Sequence, residues 1–161
     1  MKTESLCAEG ALAVRRFREG DLPELAALLA DPEVMRWLEP PFDRARAAEF
    51  LRVAGLSEPP LIYAAEEDGA FLGYVIFHRY GGEDAAELGW VLRRSAWGRG
   101  YAGRLTALLL SAAEGKWAEA VIECAPEQRA SARVAERLGF REEGMADGCR
   151  VFRRTVPRDG T

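Results

Sequence analysis

Glu87-Leu88-Gly89-Trp90-Val91-Leu92-Arg93-Arg94-Ser95-Ala96-Trp97-Gly98-Arg99-Gly100-Tyr101-Ala102-Gly103 is the stretch on which the reading of this chain turns. Its first part, within Ala86–Leu92, is apolar enough for a strand. Its last part, Gly98–Gly103, is literally GxGxxG and opens an apolar helical pattern that runs to about Glu114, with Leu105, Leu108, Leu109 and Ala112 inward. Glycines let backbone approach a ligand and visit positive φ. The free amides of a helix start then converge on an anion, commonly a diphosphate. Arg93, Arg94, Arg99 and Arg104 add positive charge nearby.

Three ligand classes compete for such a loop. A nucleoside-triphosphate loop needs GK[ST] after its glycines, and Gly103 is followed by Arg104-Leu105. A dinucleotide site is the closer rival, with Glu123 at the end of the next strand as its acidic residue. Against it, residues 93–97 separate the strand from the glycines, and only Ala125–Thr161 remains for the rest of a doubly wound sheet. Coenzyme A is the third class.

Upstream, Ala11–Phe17 reads as a strand. Asp21-Leu22-Pro23-Glu24 reads as a capping box, followed by a helical face of Leu22, Leu25, Leu28 and Leu29. Asp31-Pro32 starts a short helical turn carrying Val34, Met35 and Trp37, and Pro40-Pro41 ends it. Asp43 caps a helix running to about Ala54. Leu61–Glu66 and Phe71–His78 flank Asp68-Gly69, a hairpin turn signal. Downstream, Ala120–Cys124 is a buried strand, Ala130–Leu138 a helix stopped by Gly139, and Asp147-Gly148 turns a last hairpin of 140–145 and 149–156.

The expected fold is therefore α/β, one domain over residues 1–161. Its order is β-α-α-β-β-β-α-β-α-β-β, a mixed, mostly antiparallel sheet flanked by helices. Ala86–Leu92 and Ala120–Cys124 form its parallel pair, joined right-handed through the helix.

The bulk properties agree with a soluble, intracellular domain. The chain has 161 residues and a net charge of -4, which speaks against nucleic acid as a partner. Met1–Gly10 has no apolar leader core, and no run reaches membrane-spanning length. Three cysteines without CxxC spacing support neither disulfides nor a metal site, and Cys124 reads as a core thiol.

The segment Trp97–Ala102 resembles the cofactor motif of the GNAT acetyltransferases, Q/R-x-x-G-x-G/A, with Trp97 in the first place. Pro126-Glu127-Gln128-Arg129-Ala130-Ser131-Ala132-Arg133-Val134-Ala135-Glu136-Arg137-Leu138-Gly139-Phe140 is similar to the PENxASxRVAEKLGF run of the ribosomal-protein-alanine acetyltransferase-like branch. Asp31–Leu38 looks similar as well, so the resemblance spans about Leu12 to Val156. Gln128 stands where the family usually has asparagine, and Ala135 where many members carry a tyrosine.

The resemblance implies a GNAT-like domain that moves an acetyl group from acetyl-coenzyme A to a primary amine, without a metal. The acceptor would be a protein N-terminus or a small molecule. The protein would be cytoplasmic, a monomer or homodimer, and neither membrane nor nucleic acid would be a partner. Cofactor contacts fall on Val91, Leu92, Trp97, Gly98, Arg99, Gly100, Tyr101, Ala102, Gly103, Gln128, Ser131 and Arg133. Arg133 and Arg137 either reach its phosphates or face solvent.

Glu87 is the candidate base, with a solvated or salt-bridged glutamate as the alternative. Ser131 is the candidate donor to the departing sulfur, or else a helix cap. Trp37 and Phe42, with Pro41, overhang the acceptor site or pack the core. His78, the single histidine, ends a strand, with a catalytic role as its lesser reading, and Glu66-Glu67-Asp68 and Glu142-Glu143 read as solvated charge at turns. A coenzyme A-binding or sensing module without activity is the competing function.

Overall fold

The computed structural model describes residues 5–157. The first four residues of the stretch read for a leader lie outside them. Eight strands form one sheet in the order β1-β2-β3-β4-β5-β6-β8-β7. They are β1 Ser5–Glu9, β2 Leu12–Arg15, β3 Ile62–Glu67, β4 Ala70–Arg79, β5 Ala85–Leu92, β6 Glu119–Cys124, β7 Arg141–Ala146 and β8 Cys149–Thr155. Every neighbouring pair is antiparallel except β5 and β6.

The two hairpin signals act as read. Asp68-Gly69 and Asp147-Gly148 both hold positive φ at two successive residues, the geometry of a turn whose twist matches its strands.

Helices cover the two faces unequally. On one face α3 (Tyr101–Ala113) and α4 (Arg129–Arg137) pack on a cluster that includes Leu88, Leu105, Leu109, Ile122 and Phe152. On the other, α1 (Leu22–Ala30) and α2 (Arg44–Phe50) cover a cluster of Leu25, Leu29, Ala64, Phe71, Tyr74 and Val91. Beyond α2, from β5 to β8, that second face carries only a small cluster of Ala85, Val121 and Val151 with Tyr80 packed against it.

Several expectations are corrected. The chain has an additional first strand: β1 pairs with β2 around Gly10, and its Leu6 and Cys7 pack on the core. Its short, half-exposed pattern leaves little periodicity to read. Asp21 does not cap α1. Its carboxylate accepts from Arg15 at 2.9 Å through both oxygens and from the Arg18 amide at 2.9 Å. Arg15 also bonds Glu66, so Glu66 is part of a buried network rather than solvated turn charge.

Residues 32–37 form the expected short turn and no longer helix: the Met35 amide bonds the Asp31 carbonyl at 3.0 Å, and the Asp31 carboxylate accepts from the Glu33 amide at 3.0 Å and from Arg94 at 2.8 Å. Asp43 does cap α2, accepting from the Arg46 amide at 2.8 Å, and the helix continues as a π-turn over Leu51–Gly55. On α3 the buried stripe is Tyr101, Leu105, Thr106, Leu109, Leu110 and Ala113, and Leu108 and Ala112 are only partly buried. Among the described residues no helix is long and apolar enough to cross a membrane.

Candidate active site

The parallel pair is registered only at Ala85↔Glu119, Ala86↔Ala120 and Glu87↔Val121. Beyond it the two strands diverge, β5 staying on β4 and β6 on β8. The result is a fork. Which backbone groups line it follows from ladder parity.

Tyr80 donates to the Ala85 carbonyl and Arg93 to the Leu72 carbonyl, so the odd residues of β5 bond β4. The even residues Leu88, Trp90 and Leu92 therefore turn their amides and carbonyls into the fork. By the same parity Val156 donates to Ala118, so the even residues of β6 bond β8 and Glu123 turns its backbone toward β5. An unpaired ladder of this kind is a template for an extended ligand with amide groups.

The expected contact at Val91 sits on the opposite parity. Its carbonyl lies so close to Gly73 that a Cβ there would approach it to 2.1 Å, and its side chain is in the core. Leu92 has fork-facing backbone, as expected, and Trp90 joins it.

At the open end of the fork lies the glycine loop. Gly98 has φ +72 and Gly100 φ +80, conformations that other residues enter at a cost. Arg104 donates to the Gly100 carbonyl, so the amides of Tyr101, Ala102 and Gly103 precede the first intrahelical bond and have no carbonyl one turn back. A Cβ added at Gly98, Gly100 or Gly103 would meet nothing within 4 Å, so the loop surface is open at all three glycines. An anion cradle fits these residues.

Trp97 is about half exposed, and its Nε1 donates to the Leu92 carbonyl at 2.8 Å, pinning the loop to the end of β5. Arg99 is exposed. Tyr101 is buried, and its hydroxyl donates to Glu67, which also lies 3.6 Å from Arg104. Glu67 is thus tied to the start of α3 rather than solvated.

On the other tine, α4 follows β6 through a short loop. Gln128 occupies the N-cap position, and its Oε1 accepts from the Ala125 amide at 2.8 Å. The longer amide thus closes its own loop. Ser131 stands in the first turn of α4, half-buried and not at the cap, and Arg133 is exposed.

Glu87 projects onto the open part of the second face. Its Oε1 lies 3.6 Å from Nε2 of His78, its partner across β4 and β5. Burial pushes the Glu87 carboxyl above its ordinary value, His78 opposes, and Glu123 adds to the rise. Tyr80 donates to Glu123 across the fork root. His78, Tyr80 and Glu123 thus join Glu87, a grouping that the sequence reading missed. The available signal was the alternation His78, Tyr80 on one strand facing Glu87 on the next.

Phe42 is buried, edge-on to Phe50 at 5.9 Å, whereas Trp37 is 41% exposed under Arg36 at 4.7 Å. Of the two expected acceptor contacts only Trp37 presents free surface.

Burial pushes the Cys7 thiol up to about 11 and raises Cys124 and Cys149, so none is set up as a thiolate nucleophile. Among the described residues no three His, Cys, Asp or Glu side chains gather as a metal site.

The structure thus presents a forked mixed sheet, a glycine-rich helix start at its mouth and a carboxylate raised by burial at its root. A family model described as "Acetyltransferase (GNAT) domain" matches residues 11–141, and the chain belongs to that family. It is 26% identical over 142 residues, 86% of this chain and 84% of the other, to an uncharacterized N-acetyltransferase, YnaD, of Bacillus subtilis. Its fold is similar to that of a Salmonella typhimurium acetyl transferase that modifies the N-terminal serine of ribosomal protein L7/L12. That match has a TM-score of 0.81 at 20% identity, covering 96% of this chain and 100% of the other. It is also similar to spermidine N-acetyltransferase from Vibrio cholerae, solved with CoA and spermine. There the TM-score is 0.77 at 18% identity, with 91% and 96% covered.

Proposed function

We propose that this chain transfers the acetyl group of acetyl-CoA directly to a primary amine, on a protein N-terminus or a small molecule. The observation that carries the reading is the fork between β5 and β6, with the glycine loop at its mouth and Glu87 at its root. The pyrophosphate sits on the amides of residues 98–103, with Arg99 beside it, and the pantetheine arm pairs with Leu88, Trp90 and Leu92. Since Trp97 occupies the Leu92 carbonyl, the Leu92 amide is the group left to donate to the thioester oxygen. Arg133, exposed on α4, is assigned to the cofactor's outer phosphates on this reading.

The neutral amine attacks the thioester carbon, a tetrahedral oxyanion forms, and its collapse expels the thiolate. Glu87 takes the proton of the attacking nitrogen, directly or through water. The thiolate takes its proton from solvent water, and the Ser131 hydroxyl hydrogen-bonds the departing sulfur without giving up its own proton. A thiol has a pKa of about 8.5, so no strong acid is required. An α-amino group at about 8 asks less of the base than a lysine at about 10.4. Carboxylates on the open face, Glu83, Glu119 and Glu143 around Arg153 together with Glu87 and Glu123, favour a cationic acceptor. The neighbours that modify an N-terminal serine and spermidine are the models for the two acceptor kinds. A cytoplasmic monomer or homodimer is the setting that this reading implies.

The test is thiol release from acetyl-CoA across free amino acids, polyamines and peptides with free N-termini. Turnover of at least one class is expected. Tight acetyl-CoA binding with silence across the panel would instead favour a sensing module without activity.

A further inference from the structure

Every acceptor that enters as its ammonium form leaves one proton behind: ammonium plus thioester gives amide, thiol and a proton. The base that removes it must be emptied before the next turnover. On the proposed reading Glu87 is that base, and its open edge borders the cleft that the acceptor fills.

Behind Glu87, on the adjacent strand, stands the single histidine of the chain. His78 Nδ1 lies 2.8 Å from the Arg79 carbonyl, which can only accept, so Nδ1 carries the hydrogen. In the neutral ring the lone pair then sits on Nε2, and Nε2 is the nitrogen 3.6 Å from Glu87 Oε1. A bare Nε2 facing an ionised carboxylate is lone pair against lone pair. The contact becomes favourable when one proton lies between them. The two side chains are about equally exposed, 26% for His78 and 25% for Glu87, so with the acceptor bound over Glu87 on the proposed reading it is His78 that keeps a way to solvent.

We propose that His78 is the proton exit of Glu87: the proton taken by the carboxylate passes from Oε1 to Nε2 and leaves from there. His78 acts through Glu87 and touches no reacting atom. The charged and titratable groups around the pair include Tyr80 just after β4, Glu83 in the following turn, Glu123 on β6, Cys149 at the start of β8 and Arg153 on β8, which lies over the Tyr80 ring and bonds Glu83. Tyr80 is held by Glu123 and does not compete for Nε2.

The inference rests on Glu87 as base, and its test separates the two. Because the chain has one histidine, heteronuclear NMR of the full-length protein reads its tautomer without assignment. A neutral ring protonated on Nδ1 is expected, and one protonated on Nε2 overturns the proposal.

Kinetics are read with spermidine and with a free-N-terminus peptide. His78→Ala should lower kcat about tenfold with KM for acetyl-CoA unchanged, and added imidazole should restore it. Normal turnover in His78→Ala, or a loss that imidazole does not repair, sinks the relay while an inactive Glu87→Gln keeps the base. Full activity in Glu87→Gln removes both.

Discussion

Trp97 Nε1 donates to the carbonyl of Leu92 at 2.8 Å, so the residue that opens the glycine loop is fastened to the last residue of the strand that precedes it. The bond fixes the distance between the two parts of the proposed cofactor site: the start of α3 and the unpaired backbone of β5. It also decides which group of Leu92 remains available, leaving the amide and occupying the carbonyl.

Removing that donor should loosen the site without unfolding it. Trp97→Phe keeps an aromatic ring of similar character on an exposed position and deletes one hydrogen bond of about 1 kcal/mol. Acetyl-CoA should bind about fivefold more weakly by calorimetry. Unchanged affinity would show that the pin does not shape the cofactor site.

Gly100 separates backbone strain from charge. Its φ of +80 with open space at the Cβ position predicts that Gly100→Ala costs about 1 kcal/mol of stability through strain alone. Aspartate tolerates the same backbone region better but brings a carboxylate to the anion cradle. Gly100→Asp should stay folded by circular dichroism and lose acetyl-CoA by about a hundredfold, roughly 2.8 kcal/mol. Equal affinities of the two variants would place the pyrophosphate elsewhere.

Glu87→Gln should lower kcat by about a hundredfold or more while the dissociation constant of acetyl-CoA stays the same. The sign of the pH dependence follows from the direction of its shift. Burial, the largest cause, raises the carboxyl above its ordinary 4.5, and only the ionised form is a base. The rate of the parent should therefore climb with pH through a midpoint above 4.5, and that limb should vanish in Glu87→Gln. A limb that persists in the variant would assign it to another group.

The Arg15–Asp21–Glu66 network makes a separate prediction about stability. Arg15→Met leaves two carboxylates without their partner, one of them buried, and should cost about 3–5 kcal/mol in urea unfolding.

Burial alone would raise the Asp21 carboxyl, but Arg15 and the Arg18 amide outweigh it and hold the group below its ordinary 3.8. A depressed folded value means that the contribution is complete above the unfolded value and lost as pH falls through the folded one. The parent's urea midpoint should be level above about pH 5 and fall below about pH 4. Arg15→Met should fall less steeply there, and parallel curves would refute the assignment.

The legible parts of the chain were those whose chemistry is local. Asp68-Gly69 and Asp147-Gly148 take the positive φ values that their residue types favour, Asp43 caps its helix, and Gly139 stops α4 at φ +87. The glycine loop was read in the same way, since positive φ and an open helix start need no distant partner. Asp21 shows where this fails: it has the sequence of a cap, yet Arg15, brought close by β2, offers two charge-assisted bonds instead of one amide. Glu67 was likewise claimed by the hydroxyl of Tyr101, which is 34 residues away.

The sequence by itself determined the order of elements from Leu12 onward, the hairpin turns, the glycine-rich helix start and the family, because each rests on neighbouring residues and on spacing. Only the tertiary structure decided where the β5–β6 pairing stops, and so which backbone groups are left open for a ligand. It also decided that His78, Tyr80, Glu87 and Glu123 share one exposed floor. Pairing register and strand divergence are properties of elements far apart in the chain, set by what packs beneath them. No spacing of residues along β5 records that Glu87↔Val121 is its last pair with β6.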